Sequence, residues 1–519
     1  MSLSVWRGAL LLTVAAVAVK VMSAAYRIPY QNIAGDLGFY VYQQIYPFFA
    51  VAMFLATYGF PAAISKLVAA RFADGDESGA AGVFVRSLFV LALFSSAVFL
   101  VVYTGASWIS TLMGDENLVK PLRTVAFCFL FVPPVAAIRG FFQGAGRMQP
   151  TAVSQLIEQF IRAALIIGLT FYVAFSGFGP YAAGTAAGFG SLAGMAAATI
   201  ILILFIIRYR GKLGRQGKGI ALGSLVKMLS YEGLAFSASS LILVFFLMID
   251  TFTVVPLLGT SLARARILMG IYDRGYPLVQ LVTAAAMSFS LAFVPAMARA
   301  KATADWAFIR EKSEWAARLC VAFGIAAAVG FALIASPVNV MLFEDASGSA
   351  VLAGFGLTMM FGMVAMTTAG ILQAMGKTRQ TLCHTGTGLL VKLALNVWLI
   401  PVFGLFGAAA ATIVPFAMIA VLNGFVLHRQ TGAFSFLWRS GRKALTALVF
   451  MAITVALWRF GMSAVFSAEG NERWVATITS LGGAGFGGGI YLLTLIRLGF
   501  FSKSELKPLT STGRDSRSA

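Results

Sequence analysis

Apolar residues recur along the chain in runs of roughly twenty, each closed by a turn signal or a charge. The runs fall near 8–33, 38–70, 83–104, 121–143, 153–174, 180–208, 226–258, 266–297, 316–335, 350–374, 382–402, 405–428, 443–461 and 475–498. Each is long enough to cross a hydrocarbon core of about 30 Å. Lipid offers the backbone no hydrogen bonds, so such runs must be helices that satisfy their own N–H and C=O groups. The pattern predicts an all-α integral membrane fold of fourteen transmembrane helices. The longest polar intervals, 208–218 and the tail from Lys503 to Ala519, are too short for a soluble domain. Arg7, an apolar run and Ser23-Ala24-Ala25 imitate a secretory signal, but Lys20 interrupts the run and thirteen spans follow. The segment reads as a retained signal anchor.

Composition agrees. Of 519 residues, 59% are hydrophobic and 11% charged, far too little polar surface for a soluble globule. The net charge of +20 would suggest nucleic acid in a soluble protein. Here position explains most of it, and no nucleic-acid partner is expected. Basic clusters recur at alternate loops: Lys66/Arg71, Arg139/Arg147, Arg208 to Lys218, Arg299/Lys301/Arg310/Lys312, Lys377/Arg379, Arg429/Arg439/Arg442/Lys443 and Lys503/Lys507. The intervening loops are short or acidic, as at Asp115/Glu116, Glu344/Asp345 and Glu469/Glu472. By the positive-inside rule both termini lie in the cytoplasm, which needs an even number of spans in the cytoplasmic membrane. Cys128, Cys320 and Cys383 sit in apolar segments without disulfide or metal-ligand spacing, and read as packing residues.

A repeat appears at a constant offset of 230 residues. Tyr42 matches Tyr272, and Tyr46-Pro47 matches Tyr276-Pro277; Gly140, Gln143, Gly146, Arg147, Thr151 and Arg162 match Gly370, Gln373, Gly376, Lys377, Thr381 and Lys392. The organisation expected is an N-lobe of helices 1–6 (1–220), a C-lobe of helices 7–12 (221–430), a terminal helix pair (431–502) and a cytoplasmic tail (503–519). Six is even, so the lobes enter the membrane in parallel, related by a pseudo-two-fold axis along its normal, with the pathway between them. The Gly482–Gly489 stretch of the last helix suits close packing or a lipid-facing groove.

A charge at mid-membrane costs about 2.5–3.5 kcal/mol even on lenient scales, so each one needs a partner, a wet cavity or a cargo. Lys20 and Arg27 share one face of the first helix. Arg274 lies about 12 Å inside the outer end of the eighth. Permanently charged, planar guanidinium groups there would grip phosphate oxygens; the alternatives are snorkelling for both arginines or a local pair of Arg274 with Asp273. Lys66 is equally suited to anchoring at the interface and to touching cargo. Arg162 stands four residues after Glu158, a spacing for an ion pair on one helical face. Lys392 has no local acid, and Asp250 is nearest in depth; a buried Lys392–Asp250 pair with Asn396 one turn away is expected, serving as static support or as a proton-sensitive coupling element. Prolines and glycines at Pro29, Pro47, Gly59/Pro61, Pro133/Pro134, Pro256, Pro277 and Pro295 mark bending points.

No Gly-x-x-x-x-Gly-Lys-Ser/Thr loop, metal constellation or aspartate cluster of a glycosyltransferase is present, so neither an enzyme nor a cofactor is expected. Transport driven by an ion gradient or the membrane potential is the simplest remaining class.

Tyr26-Arg27-Ile28-Pro29, Gly35-Asp36-Leu37-Gly38, Tyr42-Gln43, Tyr46-Pro47, Gly59-x-Pro61-x-Ala63-Ile64-Ser65-Lys66 and Gly270 to Gln280 resemble the polysaccharide-biosynthesis branch of the MOP exporter superfamily. The likeness covers about residues 5–430 and is greatest to the SpoVB/YtgP group, related to the lipid II flippase MurJ. It implies a MATE-like, two-lobed fold that moves undecaprenyl-pyrophosphate-linked peptidoglycan precursor to the outer leaflet for cell-wall synthesis. The family's pyrophosphate clamp would map onto Lys20, Arg27 and Arg274, with Asp36 and Lys66. A second arginine that lipid II flippases carry near Tyr26 is not matched here. Some relatives hold a sodium ion with polar residues of the seventh, eleventh and twelfth helices; Asp250, Asn396 and Thr412 look like parts of that site. Lys392 stands where a neutral ligand would be expected, and its ammonium would replace the ion. Expected partners are the lipid-linked glycan, membrane lipids and cell-wall synthesis proteins, around a monomer. The alternatives are an exporter of another lipid-linked oligosaccharide, a multidrug or cation antiporter, whose cavity would need carboxylates, or a non-transporting scaffold, which leaves the buried charges without a role.

Overall fold

The computed structural model describes residues 15, 18, 19, 21–209, 221–229, 241–282, 297, 299–466 and 473–501, with the backbone alone at 438 and 439. Lys20, Pro295, the basic residues from Arg210 to Lys218, Glu469, Glu472, Lys503 and Lys507 lie outside them. Among the described residues the chain is helical, without a strand. The helices of the first half are α1 (Arg27–Phe54), α2 (Phe60–Ala73), α3 (Glu77–Thr104), α4 (Ala106–Leu112), α5 (Val119–Ala126), α6 (Val132–Gly144), α7 (Gln149–Phe175) and α8 (Gly179–Tyr209). After them come α9 (Leu222–Met228), α10 (Ile242–Leu257), α11 (Leu262–Asp273), α12 (Trp306–Phe343), α13 (Ser349–Ala374), α14 (Thr378–Phe403), α15 (Leu405–Thr431), α16 (Phe436–Val465) and α17 (Arg473–Arg497).

Eleven helices among the described residues are long and apolar enough to cross a membrane. The first of these runs from Val21 to Ala73 and is broken at Gly35, whose φ of 67° and ψ of 179° suit glycine and little else. That break falls between the first two apolar runs of the sequence. The runs 226–258 and 266–297 extend partly into residues outside the description, leaving α10 as a short apolar helix and α11 followed by helical residues to 282.

The chain forms two compact units, Met1–Ser288 with Lys377–Pro415 and Phe289–Gly376 with Phe416–Ala519. In the first, α1 is the central element, lying against α7, α8, α10 and α11. α6 docks on α2 through Gly140 and Gly144, where an added Cβ would stand 2.7 Å from Ile64 and 2.6 Å from Val68. Only glycine allows backbones so close, the small-xxx-small logic of membrane helices. Between α1 and α2 a single π turn, Leu55–Gly59, precedes Pro61. Proline cannot donate to the carbonyl one turn back, and the widened turn absorbs the misfit.

In the second unit α12 pairs with α13, α16 and α17. Of the Gly482–Gly489 stretch, Gly482 and Gly487 meet Trp458 and Val455 of α16, whereas Gly485, Gly488 and Gly489 have open space.

Candidate functional site

Several buried polar clusters lie in the first unit, and two of them gather the residues singled out above. The first is built on α1 and α11. Arg27 and Arg274 are each 1% exposed, so neither snorkels to an interface. Arg274 grips Asp36 through two nitrogens: Nη2 donates to Oδ1 and Oδ2 at 2.7 and 2.8 Å, and Nε to Oδ1 at 3.0 Å. This bidentate geometry replaces the local pair with Asp273. Gly270, one turn before Arg274, makes room for it, since a Cβ there would collide with the Asp36 carbonyl oxygen. Gln31 steadies the same carboxylate, donating to Oδ1 at 2.9 Å.

Arg27 is held differently. Its Nη1 donates to Gln280 Oε1 at 2.9 Å and its guanidinium lies 4.2 Å from the centre of the Tyr46 ring. Its Nε and Nη2 are buried with no hydrogen-bond partner among the described residues. The neighbouring Gln43 and Gln44 amides and both oxygens of Asp273 share that condition. Buried donors are rarely left orphaned in proteins, and a permanently charged one least of all. Arg27 therefore keeps two N–H directions without an acceptor among the described residues.

The second cluster surrounds Asp250 on α10. Lys392 Nζ, from α14, donates to Asp250 Oδ1 at 2.6 Å and to Thr412 Oγ1 at 2.8 Å. Asn396 Nδ2 donates to the same Asp250 oxygen at 2.9 Å and to Thr253 Oγ1 at 2.7 Å. Tyr276 and Tyr272 hydroxyls donate to Asp250 Oδ2, the latter at 3.3 Å. Asp250, Lys392, Asn396 and Thr412 are all 0% exposed. The structure thus brings together the acid, base and amide that depth and spacing associated, with Thr412 as fourth member. The tyrosine pair of the repeat takes parallel duties: Tyr272 and Tyr276 serve Asp250, while Tyr42 bonds the Tyr26 hydroxyl.

The expected Glu158–Arg162 pair is replaced. Glu158 Oε2 accepts from Arg139 Nη2 at 2.9 Å, while Arg162 donates to Gln159 and to Ser23 Oγ at 3.1 Å. Arg139 was read as a basic loop residue, yet it is fully buried on α6, also donating to Ser154 Oγ at 3.0 Å and Thr57 Oγ1 at 2.9 Å. A guanidinium sealed from water requires a carboxylate, and Glu158 is the acid within its reach, so the tertiary pair prevails over the local i,i+4 spacing. Lys66 lies exposed on α2, apart from the buried clusters. Lys20 belongs to the residues outside the description.

Sequence reasoning also passed over Asp115 and Arg266. Asp115, placed in an outer loop, is 1% exposed and paired with Arg266 Nη2 at 3.1 Å. A signal was present: Arg266 precedes Arg274 by two helical turns, on one helix face.

The structure is that of a multi-pass helical membrane protein with buried charge pairs and one arginine, Arg27, whose Nε and Nη2 lack a partner among the described residues. Residues 5–301, more than half of the chain, match the family described as "Polysaccharide biosynthesis protein", and the chain belongs to that family. It is 37% identical to the "Uncharacterized membrane protein YabM" of Bacillus subtilis (strain 168), over 97% of this chain and 94% of that one. The "Lipid II flippase MurJ" of the same organism is 25% identical, over 97% of each chain. A solved structure described as "Lipid II flippase MurJ, inward closed conformation" shares the fold with a TM-score of 0.67, 14% identity, and coverage of 95% of this chain and 99% of that one.

Proposed function

We propose that the protein is a flippase that carries an undecaprenyl-pyrophosphate-linked peptidoglycan precursor from the inner to the outer leaflet of the cytoplasmic membrane. It would work by alternating access, with both termini in the cytoplasm and the repeat halves 1–220 and 221–430 as its moving parts. The carrying observation is Arg27: a buried guanidinium with two donors unused, one helix away from Arg274. Planar guanidinium forks match phosphate oxygens, and low dielectric strengthens the grip. In this reading Lys20, seven residues before Arg27 in the sequence, extends the clamp. In this reading Asp36 is a placeholder that holds Arg274 until a phosphate competes for it, and Lys66 serves the cytoplasmic approach.

Sodium coupling does not fit the residues present. Lys392 Nζ already occupies the position among Asp250 and Thr412 oxygens that a cation would take, and one carboxylate neutralises one ammonium. Asp250, Lys392, Asn396 and Thr412 then act as a fixed strut joining α10, α14 and α15, as Glu158 and Arg139 do for α7 and α6.

Native mass spectrometry of the purified protein with lipid II, undecaprenyl phosphate and a different undecaprenyl-pyrophosphate-linked glycan tests the cargo. Preferential retention of lipid II, lost in Arg27→Ala, is the expected result. Equal retention of the other glycan would favour an exporter of another lipid-linked oligosaccharide. The family description supports that second reading, and the pyrophosphate grip does not distinguish between the two.

A further inference from the structure

Arg266 and Asp115 form the second ion pair that α11 makes with the first repeat, two turns from Arg274–Asp36. Asp115 ends the turn after α4 and caps the short turn Glu116–Leu118, accepting from the Asn117 N–H at 3.1 Å. Its carboxylate also accepts from Tyr181 of α8 at 2.6 Å and Tyr40 of α1 at 3.2 Å. Three of its four donors are thus neutral and come from the first repeat; only Arg266 comes from the second. Gly114, next to it, has Pro256 and Val255 of α10 within 3.3 and 3.4 Å of an added Cβ. One turn of the chain therefore meets α1, α8, α10 and α11.

The pair differs from Lys392–Asp250 in one decisive respect. The Lys392 side chain is 0% exposed, whereas the Arg266 side chain is 18% exposed. When Arg266 leaves, it can be hydrated, and Asp115 keeps three hydrogen bonds. Neither ion is stranded, which is what a contact needs in order to break and re-form.

We propose that Asp115–Arg266 is a breakable latch. Closed, it seats α11 on α1 and α8, with Arg274 against Asp36; open, it releases α11 and with it the outer exit. Asp115 and Arg266 are positioning residues that act through α11 and do not touch cargo. The assignment to the outer exit rests on the flippase reading; the two-state contact does not.

The test is a distance distribution between spin labels at Asn117→Cys and Leu262→Cys in the full chain in liposomes, with Cys128, Cys320 and Cys383 replaced by alanine. One dominant short population is expected in this background. Arg266→Ala should raise the ratio of long to short populations on the order of tenfold, Arg266→Lys should largely restore the short one, and Arg264→Ala, which removes a neighbouring exposed charge, should leave it unchanged. The isosteric Asp115→Asn gives the same reading should Arg266→Ala fail to fold. An unchanged distribution in both latch variants would overturn the proposal. A shift in a protein whose parent moves no lipid-linked glycan would keep the latch and remove the cargo reading.

Discussion

At the scale of single residues, the described structure places three buried acids and one partly buried acid each beside a base: Asp115 with Arg266, Glu158 with Arg139, Asp250 with Lys392, and the partly buried Asp36 with Arg274. Arg27 pairs with none of them. Removing one partner of a fully buried pair strands the other, at a cost of about 3–5 kcal/mol. Lys392→Ala is therefore expected to lower the thermal midpoint of the purified protein steeply, more than Lys66→Ala on the exposed face of α2. Equal midpoints would show that the strut carries no stability. Because Lys392 stands in place of a cation, exchanging sodium for potassium should leave transport unchanged. The Asp250–Lys392 association was legible in the sequence because each lay deep in an apolar run without a local counter-charge. Glu158 was misassigned because helical spacing reports only neighbours on the same helix, and Arg139 reaches it from another. Asp115 escaped for a related reason: its loop is short and acidic in sequence, and only tertiary packing seals it from water.

At the scale of elements, breaks and caps explain where helices bend and stop. Pro337 in α12 has no N–H, which leaves the Leu333 carbonyl without a helical donor. Arg459 of α16 donates to that carbonyl through Nη1. An unpaired carbonyl in an apolar setting costs about 1–3 kcal/mol. Arg459→Ala is expected to destabilise by roughly 1 kcal/mol, and to cost far less in a Pro337→Ala background, where the new backbone N–H supplies the missing donor. Additive effects in this double-mutant cycle would dismiss the link.

Outside the membrane-spanning segments, Asp76 caps α3. Its carboxyl is held below the usual carboxylate range by the Gly79 N–H, then by the Ser78 hydroxyl and Arg71. A depressed folded value means that the cap stabilises above the unfolded value of about 3.9 and is lost as pH falls through the folded one. Hydrogen exchange at the first turn of α3 should accelerate below about pH 4 in the parent and be fast at every pH in Asp76→Ala. Helices as such were legible from apolar run length. Which face a helix buries was much less so, because lipid and protein interior favour the same apolar side chains.

At the scale of the whole molecule, an offset of 230 residues relates the tyrosines of the two repeats, and the same offset carries Lys20 onto Asp250, Arg162 onto Lys392 and Asp36 onto Arg266. Two of these three pairs have reversed in sign, while Arg162 and Lys392 are both basic. In the second repeat an acid faces a base and forms a strut; in the first, Arg162 is left to Gln159, Ser23 and ring faces. This asymmetry concentrates uncompensated positive charge beside α1, where the proposed clamp lies. The net charge of +20 spoke to topology through its loops. Only the intramembrane residues speak to cargo, and hydropathy alone could not sort them.

The most direct test of that reading is leaflet transfer itself. Fluorescent lipid II would be placed in the inner leaflet of liposomes holding the purified protein, and its arrival in the outer leaflet followed by quenching. The expected result is protein-dependent transfer, reduced on the order of a hundredfold in Arg27→Ala and in Arg274→Ala, the loss appropriate to one charge-assisted phosphate contact of about 2–3 kcal/mol. Transfer at the parent rate by both variants, or none by the parent, would contradict it.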